Sequence, residues 1–189
     1  MSQPRTVAVI VGSLRNDSVT RKVARAFGKL TPNLKFAEIE IGSLQHFNQD
    51  LEATPTPEWV KFREQIKAAD AVLFATPEFN RSVPGALKNA IDVGSRPYGA
   101  SVWNGKPGAV ISVSPGGIGA FGANHHLRQS LVFLNVPTLS AEAYIGNAYS
   151  LFDADGELIN EATADFLKTY GQAFSAWIEK VLAEEKIAA

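Results

Sequence analysis

The chain has 189 residues, 46% of them hydrophobic, with 18 Lys and Arg against 19 Asp and Glu and a net charge of -1. That length buries one sizeable core rather than two, and without a block of like charges neither nucleic acid nor an anionic membrane is an expected partner. The absence of cysteine excludes disulfides, thiolate nucleophiles and Cys-ligated metal centres, and the three histidines, two of them adjacent, make no metal-ligand spacing.

The first apolar run, TVAVIV at 6–11, reads as a fully buried strand. It is too short for a signal sequence or a membrane span, so the expectation is a soluble cytoplasmic protein. Val19, Val23, Phe27 and Leu30 then recur at helical spacing, with Ser18 as a cap. A weaker strand covers Lys35 to Ile41, and a polar, proline-bearing loop leads to a helix marked by Trp59, Phe62, Ile66 and Ala69. AVLFAT (71–76) is the next buried strand. Pro84 suits the first turn of a helix through Leu87, Ala90 and Ile91. GAVISVS (108–114) is a fourth strand, followed by a helix near Asn124 to Leu134 and a fifth strand from Val136 to Tyr144. Phe166, Tyr170, Phe174, Trp177, Val181 and Leu182 form the apolar stripe of a long last helix.

Strands that each lead to a helix, without hairpin turns, imply one α/β domain with a parallel sheet covered on both faces. Ligands of such sheets collect at the carboxyl ends of the strands. Three loops should converge there: GSLRNDSVT after strand one, PEFNRSVPG after strand three and PGGIGAFG after strand four. In the first, helix N-terminal N–H groups, the Ser13, Ser18 and Thr20 hydroxyls and Arg15 make a phosphate cradle, or else a capped helix with a solvated arginine. It is neither a Walker loop nor a cysteine phosphatase loop. The second has Pro77 for rigidity, Phe79 as a flat apolar surface and Glu78, Asn80 and Ser82 as polar groups, suited to a planar heterocycle or to an ordinary surface turn. In the third, Gly117 to Gly122 fits G-x-G-x-x-G, with Glu142 twenty residues on, which is a dinucleotide fingerprint on paper. That fingerprint normally follows the first strand of a six-stranded order, and five strands are expected here. The alternative is a loop whose Ser114, Gly116 and Gly117 N–H groups meet the edge of a flat ring. Asp153-Ala-Asp-Gly156 lacks the remaining ligands of a calcium loop and reads as a surface turn.

Taken together the three loops resemble the NAD(P)H-dependent FMN reductases of flavodoxin-like fold, especially the bacterial quinone and chromate reductase branch. The markers are GSLRxxS, then PEFNRSVPGALKNAID, then the third-loop glycines followed by HHLRQSLVFL, in order over nearly the whole chain. The resemblance implies a single three-layer domain over 1–189 with strand order 2-1-3-4-5. It implies Ser13, Arg15, Ser18 and Thr20 on the FMN phosphate, Pro77, Glu78, Phe79 and Asn80 along the isoalloxazine, and Ser114, Gly116 and Gly117 at its pyrimidine side. NADPH or NADH would reduce the flavin, leave, and be replaced by a small-molecule oxidant such as a quinone, chromate, an azo compound or free flavin, with no catalytic acid or base among the side chains. It further implies a homodimer or homotetramer, with the segment LQHFNQD (44–50) bordering the flavin near a subunit interface, and His125 and His126 in helix-face or subunit contacts. Thr20, Asp17, Phe79 and Val93 depart from the asparagine, glycine, tyrosine and tryptophan frequent at those places. Other readings of the chain are a flavodoxin-type electron carrier, against which the balanced charge speaks, and a Rossmann-type dehydrogenase.

Overall fold

The structure, a computed structural model, describes residues 3–188. Strand β1 (Arg5–Val11) leads to helix α1 (Val19–Leu30), β2 (Leu34–Ile39), α2 (Pro57–Lys67), β3 (Ala71–Pro77) and α3 (Gly85–Gly94). There follow β4 (Gly108–Val113), α4 (Phe121–Phe133), β5 (Ala143–Ile145) and α5 (Glu161–Ala188). All pairings between these strands are parallel, in the order β2-β1-β3-β4-β5, the flavodoxin-like order that the family resemblance implies.

The apolar runs are continuous because the central strands are buried on both faces. Side chains alternate along each strand, so Val7, Val9 and Val11 of β1 enter one core with α1 and α5. Ala8 and Ile10 enter the other, beneath α2, α3 and α4. The chain runs outward from β1 to β2 and then returns past β1 to β3. Their carboxyl-end loops therefore diverge and leave a crevice between them.

β2 ends at Ile39 rather than Ile41 and α4 begins at Phe121 rather than near Asn124, and two larger departures stand beside these shifts. The fifth strand is interrupted: Thr138 pairs with Gly108 and Ala143 with Ile111, so five steps of one chain match three of the other. The surplus residues loop outward, where the Arg128 guanidinium donates to the carbonyls of Leu139 (2.9 Å) and Ala141 (2.8 Å), replacing the lost ladder bonds. Phe166, counted in the stripe of α5, is exposed and stacks on Tyr170. Tyr170, Phe174, Trp177 and Leu182 of that stripe pack into the core with the sheet, Val181 is buried, and the Tyr170 hydroxyl donates to Val110 O at 3.0 Å. Among the described residues no helix is long and apolar enough to cross a membrane. The 153–158 segment is a surface hairpin tied by the Asp153 carboxylate, and no cluster of metal-ligating side chains occurs among the described residues.

Candidate functional site

The loop after β1 turns directly into α1. Ser18 caps the helix, its Oγ accepting the Arg21 N–H at 3.2 Å, and no acidic residue occupies the first turn. Helix geometry leaves the first-turn N–H groups without intrahelical acceptors, facing this loop. Arg21 braces the loop from behind: its guanidinium donates to Arg15 O (2.8 Å), Ser13 O (3.1 Å) and Glu38 (2.6 Å). Sequence reasoning missed Arg21, although a cation in a first helical turn, where the dipole disfavours it, was a usable signal. Ser18 and Thr20 are buried and Ser13 half-buried, while Arg15 reaches into solvent with one contact, Nη1 to the Tyr149 hydroxyl at 3.2 Å. Asp17 pairs with Lys22 at 2.5 Å, and this bond, with a smaller contribution from Arg15, holds its carboxyl below the usual range.

After β3 the backbone makes a two-residue hairpin, Phe79 and Ser82 exchanging N–H to O bonds of 2.9 and 3.0 Å. Asn80 (φ 50°) and Arg81 (φ 63°) are both left-handed, as the tightest hairpin turn requires. The turn leaves Phe79 66% exposed at the rim. Glu78 points inward instead. Its Oε2 accepts the Ala123 N–H at 3.2 Å and lies 2.9 Å from where a Cβ on Gly122 would be. The carboxylate thus occupies the N-terminus of α4, and His126 Nδ1 to Ser82 Oγ (3.0 Å) adds a second tie between this hairpin and that helix.

The loop after β4 is engaged with its surroundings. Ser114 N–H donates to Ile145 O (2.9 Å) and Gly116 N–H to Ser114 Oγ (3.0 Å), whereas a side chain at Gly117 would meet open space. Gly119 has φ +64°, and a Cβ there would lie 2.8 Å from the Tyr144 backbone, so only glycine fits without displacement. A buried polar chain fixes it from below. Arg128 Nε donates to Asn124 Oδ1 (2.8 Å), Asn124 Nδ2 to Ser112 Oγ (3.0 Å), and Ser112 Oγ to Gly119 O (2.7 Å). A fourth loop, 146–151, docks on the third through Asn147 N–H to Gly116 O (3.3 Å) and Ala148 N–H to Ser114 O (3.1 Å). No residue of it was singled out from sequence; its Gly146-Asn147 pair after an apolar strand was the available sign.

The four loops lie at one end of the sheet and are cross-tied. The dinucleotide fingerprint is not a nucleotide site, because Glu78 already fills the helix N-terminus that a pyrophosphate would need. Glu142, the residue that would hold a ribose, precedes β5 at its amino end. It stands 4.0 Å from His125, whose ring meets the Tyr144 hydroxyl at 3.0 Å, and burial together with Glu142 pushes that phenol up to about 12. The 44–50 segment folds over α2 and α3: Asn89 of the KNAID run accepts the Phe47 N–H (2.8 Å) and donates to Leu44 O and Gln45 O (3.2 Å each). Val93 is buried in the same core as Trp103, which donates to Ile91 O and lies over Gly94.

A hydroxyl-rich loop at a helix N-terminus, an exposed arginine, an aromatic hairpin and open space beside Gly117 are the donor set and surfaces that a phosphorylated planar ring needs, so the residues present fit FMN. The fold and site define a flavodoxin-like flavoprotein. The family model for NADPH-dependent FMN reductase matches residues 5–150. A quinone reductase of Pseudomonas putida is 59% identical over 182 residues, covering 95% of this chain and 97% of that one. A 2-hydroxy-1,4-benzoquinone reductase of a Burkholderia species is 43% identical over 175 residues, 91% of this chain and 95% of the relative. Among solved structures, the flavoenzyme NAD(P)H:(acceptor) oxidoreductase FerB from Paracoccus denitrificans superposes with a TM-score of 0.88 at 46% identity, covering 93% of this chain and 98% of its own. The chain belongs to the NADPH-dependent FMN reductase family and is an oxidoreductase.

Proposed function

We propose that this chain is an FMN-dependent NAD(P)H oxidoreductase that passes two electrons to a quinone. The observation that carries the reading is the first loop, where Ser18 caps an α1 N-terminus free of acidic residues and Arg15 stands exposed beside it, a donor set that suits an anion. Bound FMN supplies the redox chemistry, taking a hydride from NAD(P)H and returning electrons to the oxidant. Ser13, Arg15, Ser18 and Thr20 hold its phosphate. Pro77, Phe79 and Asn80 flank the ring, with Glu78 contributing through its backbone because its carboxylate belongs to α4. Gly117 offers the ring edge its open N–H side, and Ser114 and Gly116 set the shape of that wall. No side chain is required as acid or base.

The same reading takes 1–189 as one functional domain working in the cytoplasm as a homodimer or homotetramer. Its support is the exposed side of α4, where Phe121, Val132 and Phe133 stand in solvent among His125, His126 and Gln129. Chromate, azo compounds and free flavin are further oxidants open to a reduced flavin. The test is anaerobic addition of NADPH or NADH to the FMN-loaded protein, followed by a quinone. Bleaching of the yellow colour and its return support the enzyme, a yellow protein inert to both nucleotides is an electron carrier, and a colourless protein that refuses FMN is neither.

A further inference from the structure

Tyr149 lies in the fourth loop, to which nothing above gives a ligand role. Its backbone is firmly placed: Ala148 and Asn147 donate to the third loop, Ser150 N–H donates to Asn147 O at 3.0 Å, and Gly146 packs so close to Gly117 that a Cβ would stand 2.6 Å from its carbonyl. The ring is nevertheless 60% exposed, and its hydroxyl meets Arg15 of the first loop. An exposed aromatic on a fixed backbone, touching a single cation, is poorly explained by packing.

The bond has a direction. Arginine only donates, so Arg15 Nη1 gives its proton to a lone pair of the Tyr149 oxygen. The phenolic proton is left for another acceptor, beside the remaining guanidinium N–H groups. The nearby carboxylate, Asp17, is already paired with Lys22. Phosphate is an acceptor of the right charge for such adjoining donors.

We propose that Tyr149 is a phosphate-end residue of the flavin site: it holds the Arg15 guanidinium over the first turn of α1 and donates its own hydroxyl to the FMN phosphate. This rests on the FMN reading above. Loop one and loop four then close on the phosphate from two sides, and discrimination between FMN and the phosphate-free flavin depends on both.

The experiment compares dissociation constants of FMN and riboflavin, by quenching of flavin fluorescence, for the unmodified chain, Tyr149→Phe, Arg15→Ala and the double variant. Phenylalanine keeps the ring and removes only the hydroxyl, so a packing role survives the change. We expect Tyr149→Phe to weaken FMN roughly tenfold, as loss of a charge-assisted bond does, with riboflavin and thermal unfolding unmoved. The double variant should lose less than the product of the single losses, because the two side chains act as a pair. An unchanged FMN constant in Tyr149→Phe, or equal losses for FMN and riboflavin, overturns the proposal alone. Equal affinities of the unmodified chain for the two flavins overturn the FMN reading and this proposal with it.

Discussion

The first and third loops both join a buried strand to a helix at the same end of the sheet, and both are rich in the small residues that bind anions, yet they have opposite states of engagement. Around the first, the α1 N-terminus carries a serine cap and no carboxylate, and Arg15 stands in solvent. Around the third, Ser114 and Gly116 N–H groups have internal acceptors, a buried polar chain holds Gly119, and Glu78 sits on the α4 N-terminus. A glycine motif therefore marks where a backbone comes close to something. Whether that something is a ligand or the protein itself depends on which donors remain open.

The contrast can be broken most severely at Asn124. Asn124→Leu keeps the volume but takes the acceptor from Arg128 Nε and the donor from the Ser112 hydroxyl, so it should cost about 3 kcal/mol in urea unfolding. If the third loop only shapes the ring wall, both flavins weaken together and their affinity ratio holds; a selective loss of FMN would place phosphate recognition there. Glu78→Ala is a milder challenge, removing the carboxylate from the α4 N-terminus at about 1 kcal/mol. Its FMN to riboflavin ratio should also stay constant, and a new competition by inorganic phosphate in this variant, absent from the unmodified chain, would show that the vacated helix end is an anion site after all. The smallest effect is expected at Asp17. Its carboxylate is turned to Lys22, so Asp17→Asn should leave the FMN constant unchanged, and a clear gain in affinity would mean that the side chain reaches the phosphate.

Much of this was legible in the sequence, for local reasons. β1, β3 and β4 each carry a run of apolar residues because both sheet faces are covered, and Ser18 announces α1 by the ordinary chemistry of helix caps. The fifth strand was not legible in its true form, because its interruption is satisfied by Arg128 from a preceding helix, a partner that no local pattern reveals. The same holds at the site. Ser13, Arg15 and Ser18 lie just before α1 and Thr20 in its first turn, as the local pattern implies, but the inward turn of Glu78 depends on how α4 approaches the hairpin, and Tyr149 meets Arg15 only after 134 intervening steps of chain have folded. Asn89 was visible as part of a motif, and its work is structural: it fastens the 44–50 segment onto α3.

The most direct test of the first loop as the phosphate site is the pair of dissociation constants, FMN and riboflavin, measured for the unmodified chain and for Arg15→Ala. The account predicts that the unmodified chain prefers FMN and that Arg15→Ala loses roughly tenfold or more in FMN affinity, with riboflavin binding and the unfolding curve unchanged. Equal constants for the two flavins in the unmodified chain, or an Arg15→Ala protein that still binds FMN as before, would contradict it.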